Sequence, residues 1–243
     1  MKKHSRRDFL ACSGIGTLGA VAGLSSLPQT ASAEDRRSES EGPSGETYEY
    51  SRTIPVGDSY DLVVIGGGPA GAGAAICAAR LGAKVLLVEA TGCLGGMGTS
   101  GLVTAFDPMA NGKEMLVGGL MKEIVETLYH RKFLRPNIDP NSWRKYFQSW
   151  TPFQVEGYKL LLDELTVEAG VHVEFFTKAV DVDVDAKKGL IYGVVLSNIE
   201  GFRYIKAKMF IDCTGDGVIA KLSGAVCREA GVDTPKIMPA TLM

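Results

Sequence analysis

The stretch Asp61-Leu62-Val63-Val64-Ile65-Gly66-Gly67-Gly68-Pro69-Ala70-Gly71 decides the fold. Its first half is a short apolar run, the pattern of a strand buried on both faces of a parallel sheet. Gly66, Gly68 and Gly71 then fall at G-x-G-x-x-G spacing. The first glycine permits a tight turn, the second leaves the backbone open to a phosphate, and the third lets the next helix pack close to the sheet. Pro69 and Ala70 open that helix, which runs through Ala72 to about Leu81 and stops at Gly82. Its alanines keep it slim, and its N-terminus offers free N–H groups and a positive dipole end to an anion. Lys84-Val85-Leu86-Leu87-Val88-Glu89 forms a second strand, with Glu89 at its end, 23 residues after Gly66. A carboxylate there accepts ribose hydroxyls and repels a 2′-phosphate. Strand, glycine turn, helix, strand and terminal acid in this order predict a Rossmann-like α/β fold that holds a dinucleotide.

Upstream of this unit the chain reads as an export leader and a linker. Arg6-Arg7-Asp8-Phe9-Leu10 precedes a weakly apolar stretch to Leu27, then Pro28 and the small residues Ala31-Ser32-Ala33. Charge, apolar core and small-residue cleavage site in that order make a secretory signal over residues 1–33, and the paired arginines match the twin-arginine type. The expected partner is therefore the twin-arginine export machinery, and the expected destination is periplasmic or extracellular. Residues 34–59 are rich in Ser, Glu, Arg and Gly and read as a linker, with a short edge strand expected near Tyr48 to Val56. The binding domain is expected over residues 60–243.

The 243 residues are 45% hydrophobic and 22% charged, an ordinary globular composition. A net charge of −2 gives no long-range attraction toward nucleic acid, and none is expected as a partner. Three histidines and five cysteines without a C-x-x-C pair argue against a metal centre. Cys77 and Cys213 read as small buried apolar residues. His130, on a helix, and His172, opening a strand, read as structural.

Downstream of Glu89 lies Gly92-Cys93-Leu94-Gly95-Gly96-Met97-Gly98-Thr99-Ser100-Gly101, a glycine-rich loop along which a ligand's phosphate and ribityl oxygens find backbone N–H groups. Val117 to Tyr129 carries apolar residues at i, i+3, i+4 spacing and predicts an amphipathic helix. A second helix is expected from about Gln154 to Ala169, capped by Gly170. Strands then follow at Val171–Phe176, Val180–Val184, Leu190–Ser197, Phe202–Lys208 and Met209–Cys213. Their turns are too short for crossover helices, so an antiparallel meander inserted in the parallel sheet is expected. The last strand runs into Thr214-Gly215-Asp216-Gly217, where the backbone again lies open to a ligand.

The ordered set GGGPAG, Glu89, GGMGTSG, helix, meander and FIDCTGDG resembles the FAD-dependent oxidoreductases of the glutathione-reductase and fumarate-reductase flavoprotein superfamily. It is most similar to the family with D-x-T-G-D-G after the meander, and the likeness covers Tyr60 to Met243. The resemblance implies FAD as cofactor and electron or hydride transfer between a small-molecule substrate, the flavin and a further electron acceptor. It implies that Gly66, Gly68, Pro69, Ala70 and Gly71 hold the pyrophosphate and Glu89 the adenosine ribose. Gly96, Met97 and Thr99 are implied to run beside the flavin side, a main-chain group at Ala179–Val180 to meet adenine, and Thr214, Gly215 and Asp216 to complete the site.

Two features depart from that pattern. The superfamily's disulfide reductases carry a Cys-x4-Cys pair after the ribose acid, and here only Cys93 is present, so dithiol chemistry is not expected. Family members also continue into a substrate domain, so the chain is expected to be an N-terminal portion, and no catalytic acid or base is assigned. An NAD-dependent dehydrogenase and a nucleotide-binding domain without independent catalysis stand as alternatives.

Overall fold

Ten consecutive residues, Val56–Ile65, form β1, and the chain builds outward from them. The computed structural model describes residues 48–136, 138–139, 150–228 and 231–233. The leader and residues 34–47 of the linker lie outside the described residues. β1 begins inside the stretch read as linker. The edge strand expected near Tyr48 to Val56 is absent among the described residues, which reach extended pairing only at Val56.

After β1 come α1 (Pro69–Arg80), β2 (Val85–Val88), a single 3-10 turn (Gly96–Gly98) and β3 (Ala105–Phe106). Next are α2 (Gly119–His130), β4 (Thr151–Pro152), α3 (Val155–Ala169) and β5 (His172–Glu174). The chain closes with β6 (Lys178–Asp185), β7 (Leu190–Asn198), β8 (Gly201–Asp212) and the short α4 (Val218–Leu222). One six-stranded sheet has the order β5-β2-β1-β8-β7-β6, and β3 and β4 form a separate antiparallel pair. β5, β2, β1 and β8 are parallel, and β7 runs antiparallel to β8 and β6. This is the Rossmann-like sheet with its meander.

The continuous apolar run of β1 follows from burial on both faces. Leu62 and Val64, with Val85 and Leu87 of β2, join a core against α1, α2 and α3. Val63 and Ile65, with Leu86 and Val88, face the other way, into a core with Val194, Leu196, Ile205 and Ile219. Side chains of a strand alternate between faces, so four consecutive apolar residues serve two cores at once. Helix α1 lies close because its inner face is Gly71, Ala72, Ala75 and Ile76, all buried. Arg80 grips Glu123 of α2 through both guanidinium nitrogens, at 2.7 and 2.8 Å. Helix α3 ends on Gly170, whose φ of 76° completes the left-handed cap.

Three expectations are corrected. Phe202–Lys208 and Met209–Cys213 are one strand, β8, because β1 pairs with it from Tyr204 to Asp212, across the expected break, while β7 pairs only with Gly201 to Lys206. The exposed lysines at 206 and 208 break the hydrophobic pattern without breaking the ladder. The strand expected at Val171–Phe176 shortens to β5 and pairs in parallel with β2, outside the meander. Cys77 is exposed, not buried, and Cys213 is half-buried against the core. Cys77 follows the buried pair Ala75 and Ile76 by one step, and one residue turns a helix by about 100°, which carries it off the inner face.

Candidate functional site

At the C-terminal ends of β1, β2 and β8 the sheet opens into a cleft of about 1160 Å³, with Ile65, Val88 and Asp212 on its floor. Ligands of open α/β sheets bind in this position, outside the carboxyl ends of the strands. Gly66 turns the chain here with φ +99°, and a Cβ on it would stand 2.3 Å from the carbonyl oxygen of Cys213. A Cβ on Gly71 would stand 1.7 Å from the carbonyl oxygen of Gly66. Gly71 is therefore a packing residue that lets α1 approach the turn, and it does not line the cleft.

Gly68 is the opposite case. It lines the cleft, and a Cβ on it would meet nothing within 4 Å. It is also the N-cap of α1, and no side chain caps that helix. Pro69 carries no N–H and the Ala72 N–H donates to the Gly68 carbonyl at 2.9 Å, so the N–H groups of Ala70 and Gly71 are the ones no side chain caps at this helix start, which suits an anion. The loop after β2 folds back onto this turn: a Cβ on Gly96 would lie 3.0 Å from the Gly68 Cα, and the Gly95 N–H donates to the Gly67 carbonyl at 2.8 Å.

Glu89 is buried at the cleft edge, with 7% of its surface exposed. Its Oε2 accepts the Gly67 N–H at 2.7 Å, and its Oε1 accepts the N–H and the hydroxyl of Thr91, each at 2.7 Å. A carboxylate offers about four lone-pair positions, so these three bonds leave one acceptor position over. The acid thus shapes the glycine turn and also lines the cleft.

The glycine-rich loop divides its residues between two tasks. Met97 stands out from the loop, 63% exposed, and lines the cleft with Gly96, Ser100 and Gly101. Thr99 is buried away from the cleft wall, and its hydroxyl donates to the Leu94 carbonyl at 2.7 Å. It holds the loop's shape. At the other end, Thr177, Lys178 and Ala179 line the cleft, while Val180, the next residue of β6, is 42% exposed and lies off its wall.

Thr214, Gly215 and Asp216 also line the cleft. Asp212, the first residue of the D-x-T-G-D-G motif, to which sequence reading gave no role of its own, organises them. Its Oδ1 accepts the N–H and hydroxyl of Thr214 at 3.1 and 2.8 Å, and its Oδ2 accepts the N–H groups of Ile219 and Ala220 at 2.8 and 3.0 Å. Burial pushes the Asp212 carboxyl upward, but the hydrogen bonds from Ala220, Thr214 and Ile219 outweigh it and hold the group below the usual carboxylate range. The readable signal was an aspartate closing an apolar strand and preceding a Ser/Thr-type turn and a helix. Beside it, burial and the Asp212 charge push the Cys213 thiol up.

Neither histidine enters the cleft. His172 Nδ1 lies 2.6 Å from the Tyr60 hydroxyl, and His130 ends α2. Among the described residues no cluster of His, Cys, Asp or Glu could hold a metal ion, and no helix is long and apolar enough to cross a membrane.

The cleft's chemistry fits FAD. An open glycine at an uncapped helix start suits pyrophosphate, a buried acid with one free acceptor position suits ribose, and a backbone-lined, extended cavity suits a long dinucleotide. A family model for FAD dependent oxidoreductases matches residues 61–241. The chain belongs to that family, and FAD is its cofactor. A dihydrolipoyl dehydrogenase from Trypanosoma brucei brucei is 53% identical over 47 residues, which are 19% of this chain and 10% of that enzyme. Among solved structures, the THI4 protein of Thermovibrio ammonificans is 18% identical with a TM-score of 0.49, covering 69% of this chain and 64% of that one. The glycine oxidase of Geobacillus kaustophilus is 14% identical with a TM-score of 0.46, covering 68% and 58%. The chain thus spans less than two thirds of each of these proteins, and none of the three likenesses identifies a substrate.

Proposed function

We propose that this protein is an exported flavoprotein oxidoreductase in which the cleft at the ends of β1, β2 and β8 holds FAD. The observation that carries this reading is the pairing of Gly68, open to the cleft at the start of an uncapped helix, with the buried Glu89 across the same turn. In this reading the N–H groups at the start of α1 hold the pyrophosphate, and the macrodipole adds to their attraction. The free acceptor position of Glu89 takes a ribose hydroxyl. The backbone of Gly96 to Gly101, with Met97 beside it, covers the flavin side, and the turn Thr214–Asp216 closes the opposite wall. When bound, FAD supplies the acceptor for a hydride or electron pair from a small-molecule substrate, and a separate acceptor takes the electrons onward. The protein's own contribution is position, electrostatics and exclusion of water.

The export part of the proposal rests on Arg6-Arg7, the weakly apolar stretch after Phe9 and Ala31-Ser32-Ala33. A route that carries folded proteins suits one whose cofactor seats among the ends of several strands. The test of the cofactor assignment is a visible spectrum of the purified protein, followed by titration of the apoprotein with FAD and with NAD. Flavin absorbance and uptake of FAD are expected. A colourless protein that takes up NAD and refuses FAD overturns the assignment.

A further inference from the structure

Phe176 is an aromatic residue in a backbone conformation that large side chains rarely adopt, with φ +51°. Nothing in its own burial offsets that strain, since the residue is 70% exposed. What the conformation achieves is local and specific. The Phe176 N–H donates to the Thr91 carbonyl at 3.1 Å, and the next N–H, of Thr177, donates to the Glu89 carbonyl at 3.0 Å. With the Glu89 N–H donating to the Glu174 carbonyl at 2.9 Å, three bonds join residues 89–91 to residues 174–177. The phenyl ring then lies over Gly92. A Cβ at that glycine would stand 2.5 Å from the ring Cζ and 3.2 Å from both Cε atoms. Gly92 needs no left-handed conformation, so space for this ring is the structural reason to have glycine there.

Both strands of the clasp carry the cleft wall. Glu89, Ala90 and Thr91 line it on one side, and Thr177, Lys178 and Ala179 on the other. Thr91 is also the residue whose N–H and hydroxyl orient the Glu89 carboxylate. Strain held at a ligand-facing segment by its surroundings is a mark of preorganisation.

We propose that Phe176, seated on Gly92, is a positioning residue for the adenosine half of the cofactor. It clasps the turn after β2 to the start of β6, which sets the gap between Glu89 and Ala179 and fixes the direction in which Glu89 presents its free acceptor position. This inference rests on the FAD reading of the cleft. It adds that affinity for the adenosine end is set by a residue that does not itself line the cleft.

The test uses the full chain and two variants that reach the clasp from opposite sides. Phe176→Gly removes the ring and relieves the strained φ, so the fold is retained or stabilised. Gly92→Ala keeps the phenylalanine but displaces its ring. FAD and ADP are titrated by calorimetry, and melting temperature is recorded alongside. Both variants are expected to lose affinity for FAD and for ADP by the same factor, tenfold or more. Phe176→Gly should melt no lower than the parent, and Phe176→Tyr should bind like the parent. Affinity for ADP within twofold of the parent in both variants overturns the proposal. So does a loss of affinity that only tracks a loss of melting temperature, which marks a merely structural residue. A parent chain that binds neither FAD nor ADP overturns the flavin reading itself, and the clasp proposal falls with it.

Discussion

The buried carboxylate of Glu89 accepts the amide hydrogen of Gly67 at 2.7 Å. The acid at the end of the second strand therefore holds the middle of the glycine turn at the end of the first. Removing it acts twice. Glu89→Ala leaves the Gly67 and Thr91 N–H groups without their acceptor, a loss of about 1–3 kcal/mol for each such group that stays dry. We expect lower stability in urea unfolding together with weaker FAD binding in a flavin titration. Glu89→Gln should recover part of the stability, because its carbonyl oxygen still accepts. An alanine variant with unchanged unfolding midpoint shows that the Gly67 bond contributes nothing.

Two glycines of one motif should separate cleanly. Gly71→Ala places a methyl group 1.7 Å from the Gly66 carbonyl oxygen, and Gly68→Ala places one in open space. Gly71→Ala is expected to cost about 1–3 kcal/mol or more through overpacking, read as a lower melting temperature or loss of soluble protein. Gly68→Ala should melt like the parent yet bind FAD at least tenfold more weakly, since its methyl group enters the cleft. Equal melting temperatures for the two variants contradict this division of roles.

Asp212 should give the acid limb of stability a recognisable shape. Its folded pKa is depressed, so its contribution is fully present above the unfolded value of about 4 and is lost as pH falls through the folded value. Asp212→Asn cannot accept equally well at both ends. It should lower stability near neutral pH by about 0.5–2 kcal/mol, the scale of a lost helix cap. The difference from the parent should shrink as pH drops below 4. Chemical unfolding at a series of pH values reads this directly, and a constant difference down to pH 2 refutes it.

Export is expected to proceed by the twin-arginine route with cleavage after Ala33. Intact mass of the exported protein should place Glu34 at its N-terminus, and Arg6→Lys with Arg7→Lys should retain the protein in the cytoplasm. Recovery of only full-length, membrane-associated chain counts against the proposal.

Much of the frame was legible because local chemistry dictates it. The Leu62–Ile65 run has no polar residue, so it belongs between two cores. The spacing of Gly66, Gly68 and Gly71 requires a strand-to-helix turn, and Gly170 marks where α3 must stop. The turns at Ala186–Gly189 and Asn198–Gly201 are too short for helices, which leaves a meander. Each of these conclusions depends on neighbours within a few residues.

Only the tertiary structure decided which residue of a motif touches the cleft and which supports it. Gly68 and Gly71 look alike in sequence, and they differ because α1 packs one of them onto the Gly66 carbonyl. Met97 and Thr99 lie two residues apart in one loop, yet the single 3-10 turn sends the methionine outward and seals the threonine against Leu94. β8 became one strand because its partner β1, about 147 residues earlier, pairs with it from Tyr204 to Asp212, across the boundary between the two expected strands. Asp212 gained its role from N–H groups seven and eight residues onward, and Phe176 from a glycine 84 residues before it. A sequence specifies a residue's own preferences, whereas the atoms that meet it across the fold set its task. Those meetings exist only once the sheet has formed and brought distant loops to the same end of its strands.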